Sequence, residues 1–212
     1  MKSFLIPTVI GSLCAGSAAA QTELLLSIRA DEDVVVLGGS VNYTISAELL
    51  NPTGPILATI VDFGFDLTFG SPNLTITNNE FTSSFDSDFF GPADDGTVTG
   101  DTILDAHGQN GIPPFNSSGG PDSSNPIEIY NFTLTQTTPD TALYFPTFVL
   151  NGQISGSYEN SPLPIVFYYQ DANGNPGSVP VRVVADSVVF VPAPASGLAL
   201  LGLGTIATRR RR

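Results

Sequence analysis

Alternation of apolar and polar side chains is the dominant pattern through the middle of this chain. In residues 58–69, ATIVDFGFDLTF, Phe63, Phe65, Leu67 and Phe69 fall on one side and Asp62, Gly64, Asp66 and Thr68 on the other. A period of two marks a strand with one buried and one wet face, because successive side chains of extended backbone point opposite ways. Residues 41–50 repeat the pattern, with Val41, Tyr43, Ile45, Ala47 and Leu49 inward. Further strands are predicted over residues 24–28, 74–77, 96–104, 127–137, 142–150, 153–158, 165–170 and 179–190. Turn-forming runs separate them: Gly38-Gly39, Asn51-Pro52-Thr53-Gly54-Pro55, Asn151-Gly152 and Asn173-Gly174. Asn-Gly tolerates the positive φ of tight hairpins, so its two occurrences near the C-terminus predict sequential antiparallel strands. Residues 78–126 are dense in Asp, Gly, Ser and Pro and are expected to form a loop-rich excursion.

About ten strands and no helical period predict an all-β fold, a single antiparallel β-sandwich or jelly roll over residues 21–190. A strand at residues 61–69, a following loop and a later strand at residues 127–137 give a layout that resembles cohesin-like and carbohydrate-binding sandwiches.

Composition agrees with a folded domain. Of 212 residues 13% are charged and 42% hydrophobic, a balance that argues against disorder. The formal net charge is −13, but the basic residues are concentrated at the ends. Only Arg29 and Arg182 lie between Gln21 and Val191, where 2 bases face 20 acids for a net of −18. Nucleic-acid binding is excluded, because phosphate contacts need clustered Lys and Arg. A basic surface seeking anionic lipid is excluded likewise. The sole cysteine, Cys14, lies near the N-terminus, so residues 21–212 can form no internal disulfide.

The two ends read as addresses. Residues 1–20, MKSFLIPTVIGSLCAGSAAA, hold a basic start at Lys2, an apolar run and a small-residue close. That is the build of a secretory signal helix, cleaved by signal peptidase after Ala18-Ala19-Ala20. Residues 191–212 begin with Val191-Pro192-Ala193-Pro194, stiffened because proline fixes φ. An uncharged stretch, residues 195–208, follows, and Arg209, Arg210, Arg211 and Arg212 finish the chain. As a helix that stretch would span about 21 Å, short of the ~30 Å hydrocarbon core. It suits transient retention in an inner membrane, with the arginines held on the cytoplasmic side.

This tail resembles the PEP-CTERM sorting signal of exported bacterial proteins, in which a Pro-x-Pro motif, a short apolar helix and an arginine cluster close the chain. The resemblance covers residues 191–212. It implies recognition by an exosortase, processing near Pro192 and Pro194, and association with exopolysaccharide, biofilm or surface material. Ala193 stands where the family's usual glutamate would be.

Candidate chemistry in the acidic middle is sparse. His107, the only histidine, falls in the expected loop, and no Gly-x-Ser-x-Gly elbow accompanies it. A paired-carboxylate glycosidase needs a set spacing that twenty acids do not by themselves specify. No catalytic residue is assigned. Calcium favours several oxygen ligands on a loop, and Asp86, Asp88, Asp94 and Asp95 are the candidates, with Asp101 and Asp105 nearby. A solvated acidic loop is the plainer reading of the same residues. Asp171-Ala172-Asn173-Gly174-Asn175 begins like a calcium loop but departs at Pro176 and Arg182. The aromatic pairs Phe89-Phe90 and Tyr168-Tyr169 are candidate sugar platforms, and sequons occur at Asn42, Asn73, Asn116 and Asn131.

The expectation is an exported, non-enzymatic structural or adhesive protein of the bacterial envelope or extracellular matrix. Its expected partners are signal peptidase, an exosortase, the inner membrane transiently, and extracellular polysaccharide. The alternatives are a carbohydrate- or calcium-dependent binding module and a secreted hydrolase.

Overall fold

The alternating stretches become strands, and their apolar rows face one another across two sheets. The computed structural model describes residues 23–50, 58–88, 91–110, 122, 124–150, 155–158, 166–167 and 181–193. The strands are β1 (Glu23–Ala30), β2 (Val34–Val36), β3 (Ser40–Leu50), β4 (Ala58–Thr68), β5 (Leu74–Phe81), β6 (Ser87–Asp88), β7 (Gly91–Pro92) and β8 (Thr97–Thr99). They continue with β9 (Thr102–Gln109), β10 (Ile127–Gln136), β11 (Leu143–Tyr144), β12 (Thr147–Leu150), β13 (Ser155–Tyr158), β14 (Val166–Phe167), β15 (Val181–Ala185) and β16 (Val188–Val191). The first sheet has the order β15-β1-β3-β10-β5. The second runs β14-β13-β4-β9-β6-β7, with β12 also on β4 and β8 on β9. A small sheet, β11-β16-β2, closes one end. The fold is thus the expected all-β sandwich. The signal residues Ala18 and Ala20, the apolar stretch 195–208, and Pro194 and Arg209–Arg212 lie outside the described residues, as do both aromatic pairs. Among the described residues no helix is long and apolar enough to cross a membrane.

The predicted inward rows form the core. Val41, Tyr43, Ile45, Ala47 and Leu49 of β3 are buried, and so are Phe63, Phe65, Leu67 and Phe69 along β4. Aromatic rings pack within each sheet and across the space between them. Tyr43 stacks on Phe132 at 5.1 Å and meets Phe69 edge-on at 5.5 Å. Phe65 meets Tyr130 edge-on at 4.9 Å and stacks on Phe148 at 5.2 Å. Such pairs contribute about 0.5–1.5 kcal/mol each beyond their burial.

Several expected boundaries move, each for a local reason. The stretch 96–104 is a hairpin, since Gly100 takes a φ of 61° and turns β8 back onto β9. Glycine first in a two-residue loop suits a mirror-image turn. The stretch 142–150 is cut at Pro146, which lacks the N–H a ladder needs, so β11 joins the small sheet and β12 the second. Asn151-Gly152 lies outside the described residues, and the strands on either side of it, β12 and β13, both run antiparallel along β4, one after the other. The strands flanking Asn173-Gly174 belong to different sheets. The last strands are not sequentially antiparallel either. β15 pairs parallel with β1, and β16 pairs parallel with β2.

Candidate functional site

The sequence placed His107 in a loop, and the structure corrects this by seating it in β9, on the second sheet. A β-bulge decides which way it points. Asp105 adopts a φ of 57°, and the β4–β9 register shifts between Phe65 and Leu67. The Asp105 N–H donates to Asp66 Oδ1 at 2.7 Å, which holds the extra residue in place. A bulge inserts one residue and resets the alternation of faces. Ile103 is therefore inward, Leu104 and Asp105 are both exposed, Ala106 and Gly108 are inward, and His107 turns outward. Strict alternation from Ile103 would have aimed the imidazole into the core. Gly108 completes the arrangement. A Cβ there would lie 2.6 Å from the Phe85 carbonyl oxygen and 2.8 Å from the Phe81 ring.

Once outward, the imidazole is flanked by carboxylates on both sides. Nε2 lies 2.7 Å from Asp62 Oδ1 on β4, and Nδ1 lies 3.4 Å from Asp88 Oδ1 on β6. Asp94 forms a backbone bridge to His107, with both N–H···O distances 2.8 Å. Asp62 Oδ1 is itself buried and receives no well-aligned hydrogen bond, so its contact with the ring is an ion pair more than a directional bond. The short Asp62 contact raises the His107 pKa above its ordinary value; partial burial opposes this, and the charges of Asp62 and Asp88 add to it. The cationic form is favoured. Two carboxylates on two ring nitrogens leave neither nitrogen to take a proton from a hydroxyl. A catalytic triad needs one nitrogen for its nucleophile, so the geometry is that of a charge clamp.

The acidic residues proposed as cation ligands divide. Asp88 and Asp94 border His107. Asp95 turns to the other side: its Oδ1 accepts the Phe81 N–H at 2.8 Å, and its carbonyl accepts from the Tyr130 hydroxyl and from Asn79 Nδ2. Asp94 Oδ1 accepts the Gly96 N–H at 3.0 Å, and the Asp86 carbonyl accepts the Ala93 N–H. Asp101 accepts from the Ser71 N–H. Among the described residues no three acidic or histidine side chains form a group able to hold a metal ion. Asp171, Asn173 and Asn175 lie outside those residues.

The outer face of the first sheet is different in character. Thr44 donates to Asn131 Oδ1, Thr133 to Asn42 Oδ1, and Ser40 pairs with Thr135. Asn73 donates to Asp140. Three sequon asparagines are therefore held in side-chain bonds, and Asn116 lies outside the described residues. The first sheet presents this ladder of Ser, Thr and Asn beside Glu48, Glu128 and the Arg29–Asp186 and Arg182–Glu23 ion pairs, and the second presents the acidic face around His107. Of the tail motif, Val191 ends β16, and Pro192 and Ala193 are exposed beyond it.

No protein-family model matches the sequence, and no curated protein does. Among solved structures, the seventh type I cohesin of ScaB from Pseudobacteroides cellulosolvens aligns with a TM-score of 0.54 at 15% identity, over 81% of this chain and 94% of that one. The fold is similar to that of a cohesin module. CaCohA2 from Clostridium acetobutylicum aligns at 0.47 and 11% identity, over 85% and 99% of the two chains. The sixth cohesin of scaffoldin B from Acetivibrio cellulolyticus, solved with a Cel5 dockerin, aligns at 0.46 and 13%, over 81% and 100%. At such identities the likeness to cohesins is one of fold.

Proposed function

We propose that this chain is an exported, non-catalytic binding module of a bacterial surface or extracellular matrix. The observation that carries the binding role is the outer face of the β4–β9 sheet. Asp62, Asp66, Asp88, Asp94 and Asp105 stand there around one clamped imidazole, on a rigid aromatic core. Rigid backing limits the ordering cost of association, and a face of one sign favours a partner of the other. The partner is a protein surface carrying Lys and Arg. An anionic polysaccharide would be repelled and would need divalent cations to bridge it.

The cohesin-like fold supports a module that works by contact. The sequence of residues 1–20 and 191–212 supports the rest: signal peptidase cleavage, brief retention in the inner membrane, and exosortase processing near Pro192 and Pro194. Binding to extracellular matrix extract is the test of the face. Asp88→Lys with Asp94→Lys should lower retention and its salt sensitivity, with circular dichroism confirming that the sandwich stays folded; unchanged retention would sink the acidic-face reading. Deleting residues 191–212 should shift the protein between cell and medium fractions. Identical fractionation would remove the sorting part.

A further inference from the structure

The small sheet carries apolar residues on both faces. Its inner face, Val35, Tyr144, Val188 and Phe190, belongs to the core. Its outer face holds Val34, Val36 and Leu143, which are 51%, 47% and 52% exposed, with Phe145 beside them at 57%. Register aligns these residues. Leu143 pairs with Val189 and Val189 with Val34, while Val191 pairs with Val36. Strands apolar on both faces are ordinarily covered on both, and a contiguous exposed apolar patch marks a contact surface.

Chain continuity names what covers it. β16, the middle strand of the patch, is the last strand of the sandwich, and the chain leaves it at Val191. Residues 198–208, LALLGLGTIAT, follow within a few positions, after Ser196-Gly197. Charge matches as well. Asp31, Glu32 and Asp33 lead into β2, and Glu32 and Asp33 are exposed. The Asp33 carbonyl accepts the Val189 N–H at 3.0 Å, which fixes this acidic run at the end of the patch opposite the chain exit. A tail turning back at Gly197 has eleven residues with which to recross the sheet. As a helix they reach about 16 Å, against the ~7 Å that separate Val36 from Val34 along a strand. Arg209–Arg212 would then meet the acidic run. A bilayer surface suits the same rim poorly, since anionic headgroups repel it.

We propose that this face docks the chain's own tail, residues 195–212, before a membrane takes it. The patch and the bilayer then compete for one apolar segment, so the tail is shielded in water and released on insertion. The proposal requires the tail to be on the chain and does not require its processing.

The test uses the full chain, with Val36→p-benzoylphenylalanine as a photocrosslinker, in detergent-free buffer and with phosphatidylcholine vesicles. In buffer we expect crosslinks within one chain to residues 195–208, cut at least about fivefold by Leu143→Asp and by replacing Arg209–Arg212 with glutamate. Crosslinks to a second chain would overturn the proposal in favour of self-association. Crosslinks to lipid alone, or none at all, would overturn it as well. Thermal melting of each variant checks that the sandwich is intact. Docking seen here with unaltered fractionation on tail deletion would sink the sorting reading alone; no docking with altered fractionation would sink this one alone.

Discussion

His107 offers an unusually clean measurement, because it is the only histidine and Cys14, the only cysteine, precedes β1 in the sequence. No other side chain of ordinary pKa titrates between about pH 6 and 8. One imidazole resonance, followed by NMR, therefore reports the clamp directly. The Asp62 contact at 2.7 Å and the Asp88 contact at 3.4 Å raise its folded pKa. A raised folded value means that the contribution is complete below the unfolded value of about 6.5 and fades as pH rises through the folded value. The ring is 36% exposed, and its partners 21% and 35%, so solvent screens the pairing. Ion pairs of that exposure contribute up to about 1 kcal/mol. In a domain of this size that is roughly 2–4 °C in melting temperature. Wild type should exceed His107→Gln by that margin at pH 5.5 and lose the margin in alkaline buffer. Asp62→Asn should lower the imidazole pKa. An imidazole that titrates at or below its ordinary value would refute the clamp, as would a wild-type advantage that does not change with pH.

Tyr130→Phe should cost about 0.5–1.5 kcal/mol in urea unfolding, because it removes the hydroxyl's bonds with the Asp95 carbonyl and the Asn79 amide while those two groups keep their bond to each other. The same variant should loosen the turn bearing Asp94, seen as faster amide exchange at Gly96. Gly108→Ala should destabilise by more than the usual surface substitution, since its Cβ meets the Phe85 backbone at 2.6 Å. Equal stability of that variant would show that β9 can shift away from Phe85.

The core was legible in the sequence wherever alternation ran unbroken. Every inward residue predicted for β3 is buried, and so are Phe63, Phe65, Leu67 and Phe69, because a period of two leaves only one way to bury a row of apolar side chains. The candidate site was less legible because its decisive event breaks that period. The bulge at Asp105 inserts one residue between Ile103 and Ala106, and one aspartate among many does not single out that position. His107 consequently read as part of a loop, and its pairing with Asp62, 45 positions earlier, has no local signal. β2 was missed because three valines are too short for a periodic pattern. The order of the last strands was misread because a dipeptide suited to a tight turn does not dictate which strand the next segment joins.

The parallel pairs β1–β15 and β2–β16 carry a consequence for the order of assembly. Leu24 waits for Val181, and Val34 for Val189, so the first strands to emerge are completed by the last. Closing so long a loop is slow, because its entropy is lost before the contacts repay it. A chain delivered N-terminus first must hold β1 and β3 with one edge open until nearly all of it has arrived. The outer edge of β1 therefore stays open to foreign strands for most of that time, and the sandwich is most exposed to wrong pairing just before β15 arrives.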